Sequence, residues 1–135
     1  MSAPVPARNR PAVTTRPVEP GDRAGWQALY EAYQLFYDRP GLPQGFYDTA
    51  FARLMSGDAK DFRGLVAEDG GRIVGLTHFV FHPNLWRPEG VCYLQDLFTA
   101  PEARGQGVAR ALIEAVYAAA DAAGAPNVYW LTAED

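Results

Sequence analysis

The stretch of sequence that decides the fold is TAPEARGQGVARALIEAV, residues 99–116. It ends in a segment where Val108, Leu112 and Val116 recur at the spacing of one helix face. Gly105 and Gly107 stand directly before that helix. Glycine has no Cβ, so a ligand can approach the backbone closely at these two positions.

The start of this helix has the chemistry of an anion site. The first amide N–H groups of a helix lack intrahelical acceptors, and the helix dipole is positive at that end. Arg104 adds a guanidinium suited to phosphate. Two common phosphate motifs do not fit, because no Gly-Lys-Ser/Thr ending follows and Arg110 stands where the dinucleotide pattern requires a third glycine or alanine. An ordinary strand-to-helix turn and an anion-binding loop both remain open from these residues alone.

The rest of the chain alternates strand-like and helix-like segments. Prolines and glycines interrupt it at 38–43, Asp69-Gly70-Gly71 is a hairpin signal, and Gly124 with Pro126 ends the last helix. The predicted elements are a strand at 13–18, aromatic-faced helices at about 26–37 and 47–55, strands at 63–68, 72–81 and 90–99 with a loop at 82–88, a helix at 106–123 and a strand at 127–131.

This order, β-α-α-β-β-β-α-β, predicts a mixed α/β fold. The strand, crossover helix and strand at its end predict that segments 90–99 and 127–131 are parallel in one sheet. A chain of 135 residues has room for one domain. Residues 1–12 contain three prolines and no periodicity, so we expect a flexible tail there and the domain at 13–135.

Charge and cysteine content exclude several classes of function. The net charge of −4 argues against a nucleic-acid partner. The single cysteine, Cys92, cannot form an internal disulfide and does not make a metal site by itself. No apolar run approaches the ~18 residues of a membrane span, and the N-terminus lacks a secretory apolar stretch. We therefore expect a cytoplasmic protein with no membrane, metal or nucleic-acid partner.

Residues 104–109, RGQGVA, resemble the pyrophosphate-binding motif Q/R-x-x-G-x-G/A of the GNAT superfamily of acyl-CoA-dependent N-acetyltransferases. YLQDLFTAPEARGQGVARALIEAV is similar to that family's fourth strand and third helix, and VYWLT to its fifth strand. The resemblance implies a central mixed sheet with flanking helices, acetyl-CoA as co-substrate, and often a homodimer. It implies cofactor contacts from Leu97, Phe98, Thr99, Arg104, Gly105, Gln106, Gly107, Val108, Ala109 and Arg110.

Acetyl transfer to an amine requires a donor to the developing oxyanion and a route for the amine proton. The resemblance implies that a backbone N–H of the fourth strand, with Phe98 as candidate, polarises the thioester carbonyl. Gln95 stands where relatives often carry glutamate, so Asp96 is our candidate for a base or an amine-binding carboxylate. A capping or salt-bridging role for Asp96 is equally open. Tyr33 and Trp86 are expected to contact an amine by cation–π attraction.

Two further residues are expected to be structural. His78 shares a strand face with apolar neighbours and is interpreted as a core histidine rather than a catalytic one. Cys92 shares a face with Leu94 and is interpreted as a small buried hydrophobe.

GNAT domains typically continue past the fifth strand through a turn, a fourth helix with a tyrosine near the cofactor sulfur, and two closing strands. This sequence stops at Asp135, so we expect no residue in it to take that tyrosine's role. A fragment, a shortened gene product and a fold completed by another chain all remain open. The expected function is acetyl transfer to a primary amine of a polyamine, an amino-acid-like molecule or a peptide. The alternative is a non-catalytic acyl-CoA-binding or interaction module.

Overall fold

The fold is taken from a computed structural model, and the structure describes residues 13–131. The tail predicted at 1–12 lies outside the described residues. Within them the chain forms β1 (Thr14–Pro17), α1 (Arg23–Phe36), α2 (Gln44–Leu54), β2 (Arg63–Asp69), β3 (Arg72–Asn84), β4 (Arg87–Thr99), α3 (Val108–Ala122) and β5 (Val128–Tyr129). Short 3-10 turns at Pro20–Asp22 and Pro101–Ala103 precede α1 and α3. The predicted order of elements and the mixed α/β class are confirmed.

The described strands form one sheet in the order β1-β2-β3-β4-β5. The first four are antiparallel, and β5 lies parallel to β4, as the crossover helix predicted. The last strand is shorter than expected, because β5 pairs with β4 only at Cys92↔Val128 and Tyr93↔Tyr129. The two strands separate beyond those pairs.

The prediction of a loop at 82–88 is wrong. β3 and β4 continue to a tight turn at Leu85-Trp86, and Asn84 pairs with Arg87. The Oδ1 of Asn84 accepts the backbone N–H groups of Trp86 and Arg87 at 2.8 and 3.1 Å, which closes the turn. Pro83 is accommodated because the pairing is irregular between His82 and Asn84.

The helices cover both faces of the sheet. Trp26 of α1 is fully buried on one face, and Leu112 and Val116 of α3 are fully buried on the other. The α3 face admits a helix this close only because residue 75 is glycine. A Cβ at Gly75 would lie 2.5 Å from Val108 and 3.0 Å from Leu112, so any side chain there would push α3 and its preceding loop away from the sheet.

A β-bulge in β4 sets the geometry of the site. Asp96 pairs with His78 while Leu94 pairs with Phe79, so Gln95 is the extra residue on β4. A bulge breaks the alternation of side chains along a strand. Asp96 therefore lies with His78 on the α1–α2 face, although Leu94, two residues earlier, lies on the α3 face.

Candidate active site

The glycine loop forms an open cradle of backbone amides at the start of α3. Gly105 and Gly107 have φ angles of +82° and +81°, the left-handed region that favours glycine. A Cβ built on either would meet no described atom within 4 Å, so the space above the loop is open. Gly107 is the N-cap residue of α3, and its carbonyl accepts the N–H of Ala111 at 3.0 Å. The preceding N–H groups at 108–110 lack intrahelical acceptors.

A cleft of about 370 Å³ lies over these amides. Arg104 is held at its side, because its guanidinium lies 5.5 Å from the ring centroid of Phe36 and 5.7 Å from that of Phe98. This donor set of helix-start amides and a guanidinium fits a pyrophosphate. The structure brings together the following residues expected at the cofactor around this cleft: Leu97, Phe98, Thr99, Arg104, Gly105, Gly107, Val108, Ala109 and Arg110. Gln106 is exposed between the two glycines.

The register of β4 decides which of its amides face the open edge of the sheet. The N–H of Ala100 donates to Val74 on β3 at 2.8 Å. In an antiparallel ladder every second residue turns its N–H to the same partner. Phe98, which pairs with Leu76, therefore directs its N–H into the β3 ladder. The N–H groups of Leu97 and Thr99 face the opposite edge.

The start of β4 independently supports this assignment of inward and outward N–H groups. The N–H of Cys92 donates to Asn127 at 2.8 Å and so faces β5. Before the bulge the even-numbered residues therefore direct their N–H groups to the outer edge. The extra residue Gln95 reverses this alternation, so after the bulge the odd-numbered residues face outward, as Ala100 also requires. Between Tyr93 and Thr99 the outer edge of β4 has no strand partner among residues 13–131.

A second cavity of about 510 Å³ fills the gap where β4 and β5 separate. Leu97 lines both this cavity and the cleft over the glycine loop, so the two are neighbours. The walls of the gap are mainly aromatic and aliphatic, with one arginine: Tyr33, Tyr37, Arg39, Leu94, Gln95, Leu97, Ile113, Trp130 and Leu131. An elongated molecule anchored at the glycine loop can therefore continue along the unpaired amides of β4.

A third, smaller cavity of about 150 Å³ lies on the α1–α2 face. Gln95 lines both this cavity and the gap between β4 and β5. Its walls carry many aromatic side chains: Trp26, Tyr30, Phe46, Ala50, Arg53, Leu54, Phe62, His78, Gln95 and Asp96. The three cavities therefore lie side by side between the glycine loop and the carboxylate of Asp96.

Asp96 is a buried carboxylate with several donors. Tyr33 donates to Oδ1 at 2.8 Å, and Tyr30 donates to Oδ2 at 3.0 Å. His78 Nδ1 lies 2.8 Å and Gln95 Nε2 3.3 Å from Oδ2. Asp96 is only 5% exposed. Asp96 caps no helix and contacts no arginine or lysine in the described structure, and its basic neighbour is His78.

The hydrogen bonds of His78 define its tautomer. The indole N–H of Trp26 can only donate, and it lies 2.9 Å from Nε2 of His78. Nε2 is therefore the acceptor, and Nδ1 carries the proton that His78 donates to Asp96. Both ring nitrogens are satisfied, which agrees with the interpretation of His78 as a core histidine. The contact to Asp96 is a hydrogen bond between a neutral imidazole and a carboxylate.

This network keeps Asp96 ionised. Burial by itself raises the pKa of the carboxyl, whereas the hydrogen bond from His78, the charge that His78 adds when it is protonated, and the hydrogen bonds from Tyr33 and Tyr30 lower it, and the net shift is downward. Burial and the neighbouring carboxylate raise the pKa of both tyrosines, so both hydroxyls stay protonated as donors. The site therefore holds a negative charge surrounded by neutral donors.

The two aromatic residues expected on the acceptor side occupy different places. Tyr33 contacts Asp96 and lines the gap between β4 and β5 rather than the small cavity. Trp86 is 90% exposed at the tip of the β3–β4 turn. Nine residues of β4, 87–95, lie between Trp86 and Asp96, which is roughly 30 Å along an extended strand. The structure does not bring Trp86 to this site.

The small cavity contains residues that sequence reasoning did not single out. Tyr30, Phe46, Arg53 and Phe62 line it, and they come from α1, α2 and the segment before β2. Helical periodicity placed Tyr30 on a buried face, but nothing in a single sequence shows which buried aromatic borders a cavity.

The described residues offer no support for thiol or metal chemistry. Burial raises the pKa of Cys92 to about 11, so its thiol stays protonated. Within residues 13–131 there is no cluster of three or more His, Cys, Asp or Glu side chains arranged to hold a metal ion. In the same range no helix is both long and apolar enough to cross a bilayer.

Comparison with known proteins places this geometry in a family. Residues 26–135 match the Acetyltransferase (GNAT) family. The chain is similar to the D-amino-acid N-acetyltransferase HPA3 of Saccharomyces cerevisiae, with 36% identity over 121 residues that cover 89% of this chain and 74% of the relative. The chain belongs to the GNAT acetyltransferase family and is an acyltransferase.

Two solved structures share the fold. A transcriptional regulator from Bacillus halodurans has a TM-score of 0.78 and 24% identity, over 90% of this chain and 83% of its own. A ribosomal-protein-alanine N-acetyltransferase from Brucella melitensis biovar Abortus has a TM-score of 0.73 and 21% identity, over 89% and 80% of the two chains. At these identities the likeness concerns the fold alone.

Proposed function

We propose that this chain transfers an acetyl group from acetyl-CoA to the amino group of a small amino acid. One observation carries the proposal: Leu97 and Gln95 each border two cavities, so the three cavities lie side by side between a pyrophosphate cradle and a buried carboxylate. The amino-acid class is supported by the relative whose name describes a D-amino-acid N-acetyltransferase. The size of the small cavity, about 150 Å³, also suits a small acceptor better than a folded protein segment.

Residues of the loop and of β4 hold acetyl-CoA in this proposal. The amides at 108–110 and the guanidinium of Arg104 bind the pyrophosphate, and the left-handed glycines leave room for it. The outward-facing backbone of Leu97 and Thr99 binds the extended arm, as a strand edge binds a peptide. When bound, the co-substrate supplies the activated acyl group.

The register changes the residue proposed to polarise the acyl carbonyl. The sequence analysis gave Phe98 as the candidate for this N–H, but the backbone N–H of Phe98 is directed to β3. Leu97 has an N–H that faces the gap between the strands and lies one residue from Asp96. We therefore assign the oxyanion-stabilising amide to Leu97. Phe98 instead packs beneath the cleft, where it supports Arg104 and contacts Tyr33.

Asp96 is better suited to attract the amine than to remove its proton. Its lowered pKa makes it a weak base at neutral pH, and four side chains already donate to it. Its buried charge attracts an ammonium group to the end of the small cavity. The amine loses its proton to water in the cavity and forms the C–N bond of the amide as the C–S bond of the thioester breaks, and the released thiolate takes a proton from water. Reaction is therefore favoured as the pH rises toward the pKa of the free amine.

The proposal is tested by thiol release from acetyl-CoA with a panel of acceptors. The panel comprises alanine, leucine and phenylalanine as both enantiomers, spermidine and a short peptide. We expect release with amino acids, and a fall in kcat/KM of about 10- to 100-fold for Asp96→Asn, because a charged hydrogen bond to the amine is lost. Asp121→Asn, on the exposed side of α3, is the control. Coenzyme A binding without thiol release in the presence of any amine would overturn the proposal.

A further inference from the structure

Arg53 lies on the wall of the small cavity and has donors to spare. Its Nε and Nη2 both contact Oδ1 of Asp61 at 2.9 Å, and its guanidinium lies 5.2 Å from the ring centroid of Phe62. An arginine carries five N–H donors in a fixed planar fork. Two are used by Asp61, and the side chain is 54% exposed. The ring of Phe62 packs against the guanidinium and holds its remaining N–H donors in place.

The cavity is electrically asymmetric. Among the described residues that line it, Arg53 carries the positive charge and Asp96 the negative charge. Asp96 is nearly inaccessible, whereas Arg53 is exposed at the opening. The walls between them are mainly aromatic and aliphatic, from Trp26, Phe46, Leu54 and Phe62. A molecule with an ammonium group at one end and a carboxylate at the other complements this arrangement.

The volume limits the size of that molecule. The cavity has a volume of about 150 Å³, below the ~300–1,000 Å³ of a common ligand pocket, which favours a small acceptor. A polyamine carries no carboxylate for Arg53 and a second cation that Arg53 would repel.

We infer that Arg53 binds the α-carboxylate of the amino-acid acceptor and so determines the specificity for amino acids over simple amines. The inference rests on the proposed function, because it assigns a substrate contact within the same site. Asp61 is the positioning residue: it fixes one side of the guanidinium fork, and the other side is presented to the ligand. Recognition of this kind depends on planar, bidentate geometry as well as on charge.

A purely structural role for Arg53 predicts a different pattern. In that case Arg53 would only tie α2 to the segment before β2 through Asp61, and its loss would affect all acceptors alike. Arg23 makes comparable contacts on neighbouring elements, since its Nη2 pairs with Asp48, its Nε donates to Gln27 and its guanidinium lies 5.5 Å from the ring centroid of Phe51. Arg23 does not line the small cavity. Arg23→Gln is therefore a matched control for the loss of an ion pair and an aromatic contact.

The experiment compares kcat/KM for alanine and leucine with kcat/KM for their amides, which keep the amino group and lack the carboxylate. We expect the intact chain to prefer the acids by roughly 10- to 100-fold, since one charge-assisted interaction is removed in the amides. In Arg53→Gln this ratio falls to about one, through a rise in KM for the acids. Arg53→Lys restores part of the preference, and Arg23→Gln keeps all of it.

Each outcome separates the two proposals. Equal use of acids and amides by the intact chain, or an unchanged ratio in Arg53→Gln, overturns the role of Arg53 while thiol release still supports the proposed function. A parallel loss for acids and amides in Arg53→Gln shows a structural role and also overturns the inference. No thiol release with any acceptor overturns the proposed function itself.

Discussion

His78 donates its Nδ1 proton to Asp96 across 2.8 Å, and it can do so only as a neutral imidazole because Trp26 occupies Nε2 with an indole N–H. The carboxylate therefore keeps its negative charge without a cationic partner. Unpaired buried charges are costly and are retained where they are used. In the proposed function, the ammonium group of the acceptor supplies the cation.

The first prediction concerns stability in acid. The pKa of Asp96 is lowered in the folded chain, so its stabilising contribution is present above its unfolded pKa of about 3.9 and is lost as the pH falls through the folded value. Asp96→Asn should be less stable than the intact chain at pH 7 by about 1–3 kcal/mol, because donors lose their acceptor. Urea unfolding at pH 7 and pH 3 should show this difference shrinking in acid. A difference that stays constant over that range would show that folding does not lower the pKa of Asp96, and a difference that grows in acid would show that the carboxyl is neutral in the folded chain.

The second prediction tests the register of β4. Leu97→Pro removes an N–H that faces the open edge, so the sheet should form while kcat falls by about 10²- to 10³-fold through loss of the oxyanion donor. Phe98→Pro removes an N–H from the ladder with β3 and should unfold the chain. Circular dichroism and thiol release measure the two effects. A folded, active Leu97→Pro, or a folded Phe98→Pro, contradicts the assignment.

The third prediction concerns the support of the glycine loop. Gly75→Ala places a methyl group against Val108 at the start of α3 and should destabilise the fold by about 1–3 kcal/mol. Gly45→Ala, in α2 where a Cβ meets no described atom within 4 Å, should be neutral or stabilising by about 0.5 kcal/mol. Thermal unfolding of both variants checks the contrast. Equal midpoints would show that α3 packs less closely than described.

The elements of the fold follow from local signals in the sequence. The hairpin at Asp69-Gly70-Gly71 and the helix that Val108, Leu112 and Val116 define were predicted from turn chemistry and periodicity, and both are present. The turn after β3 was missed because prolines at 83 and 88 argue against strands. The Asx-type closure by Asn84 is specific to this turn and outweighs that preference.

The site was predictable only in its backbone part. The glycine loop can be recognised because its glycines and helix start are contiguous in sequence. The acceptor cavity joins residues of α1, α2, β3 and β4, so its members depend on packing between distant segments. The position of the bulge at Gln95 also has no signature in the sequence. This bulge determines on which face of the sheet Asp96 lies and directs the backbone N–H of Leu97 to the outer edge.

The most direct test of the central claim is calorimetric titration of coenzyme A into two variants at the ends of α3. Gly107→Leu and Gly124→Leu both place a side chain at left-handed backbone, with φ of +81° and +77°, but only Gly107 borders the cleft. We predict that Gly107→Leu lowers the affinity at least about 100-fold, because the side chain fills the cradle and turns the amides away. Gly124→Leu should bind as the intact chain does. Equal affinities in the two variants would contradict the placement of the pyrophosphate at this loop.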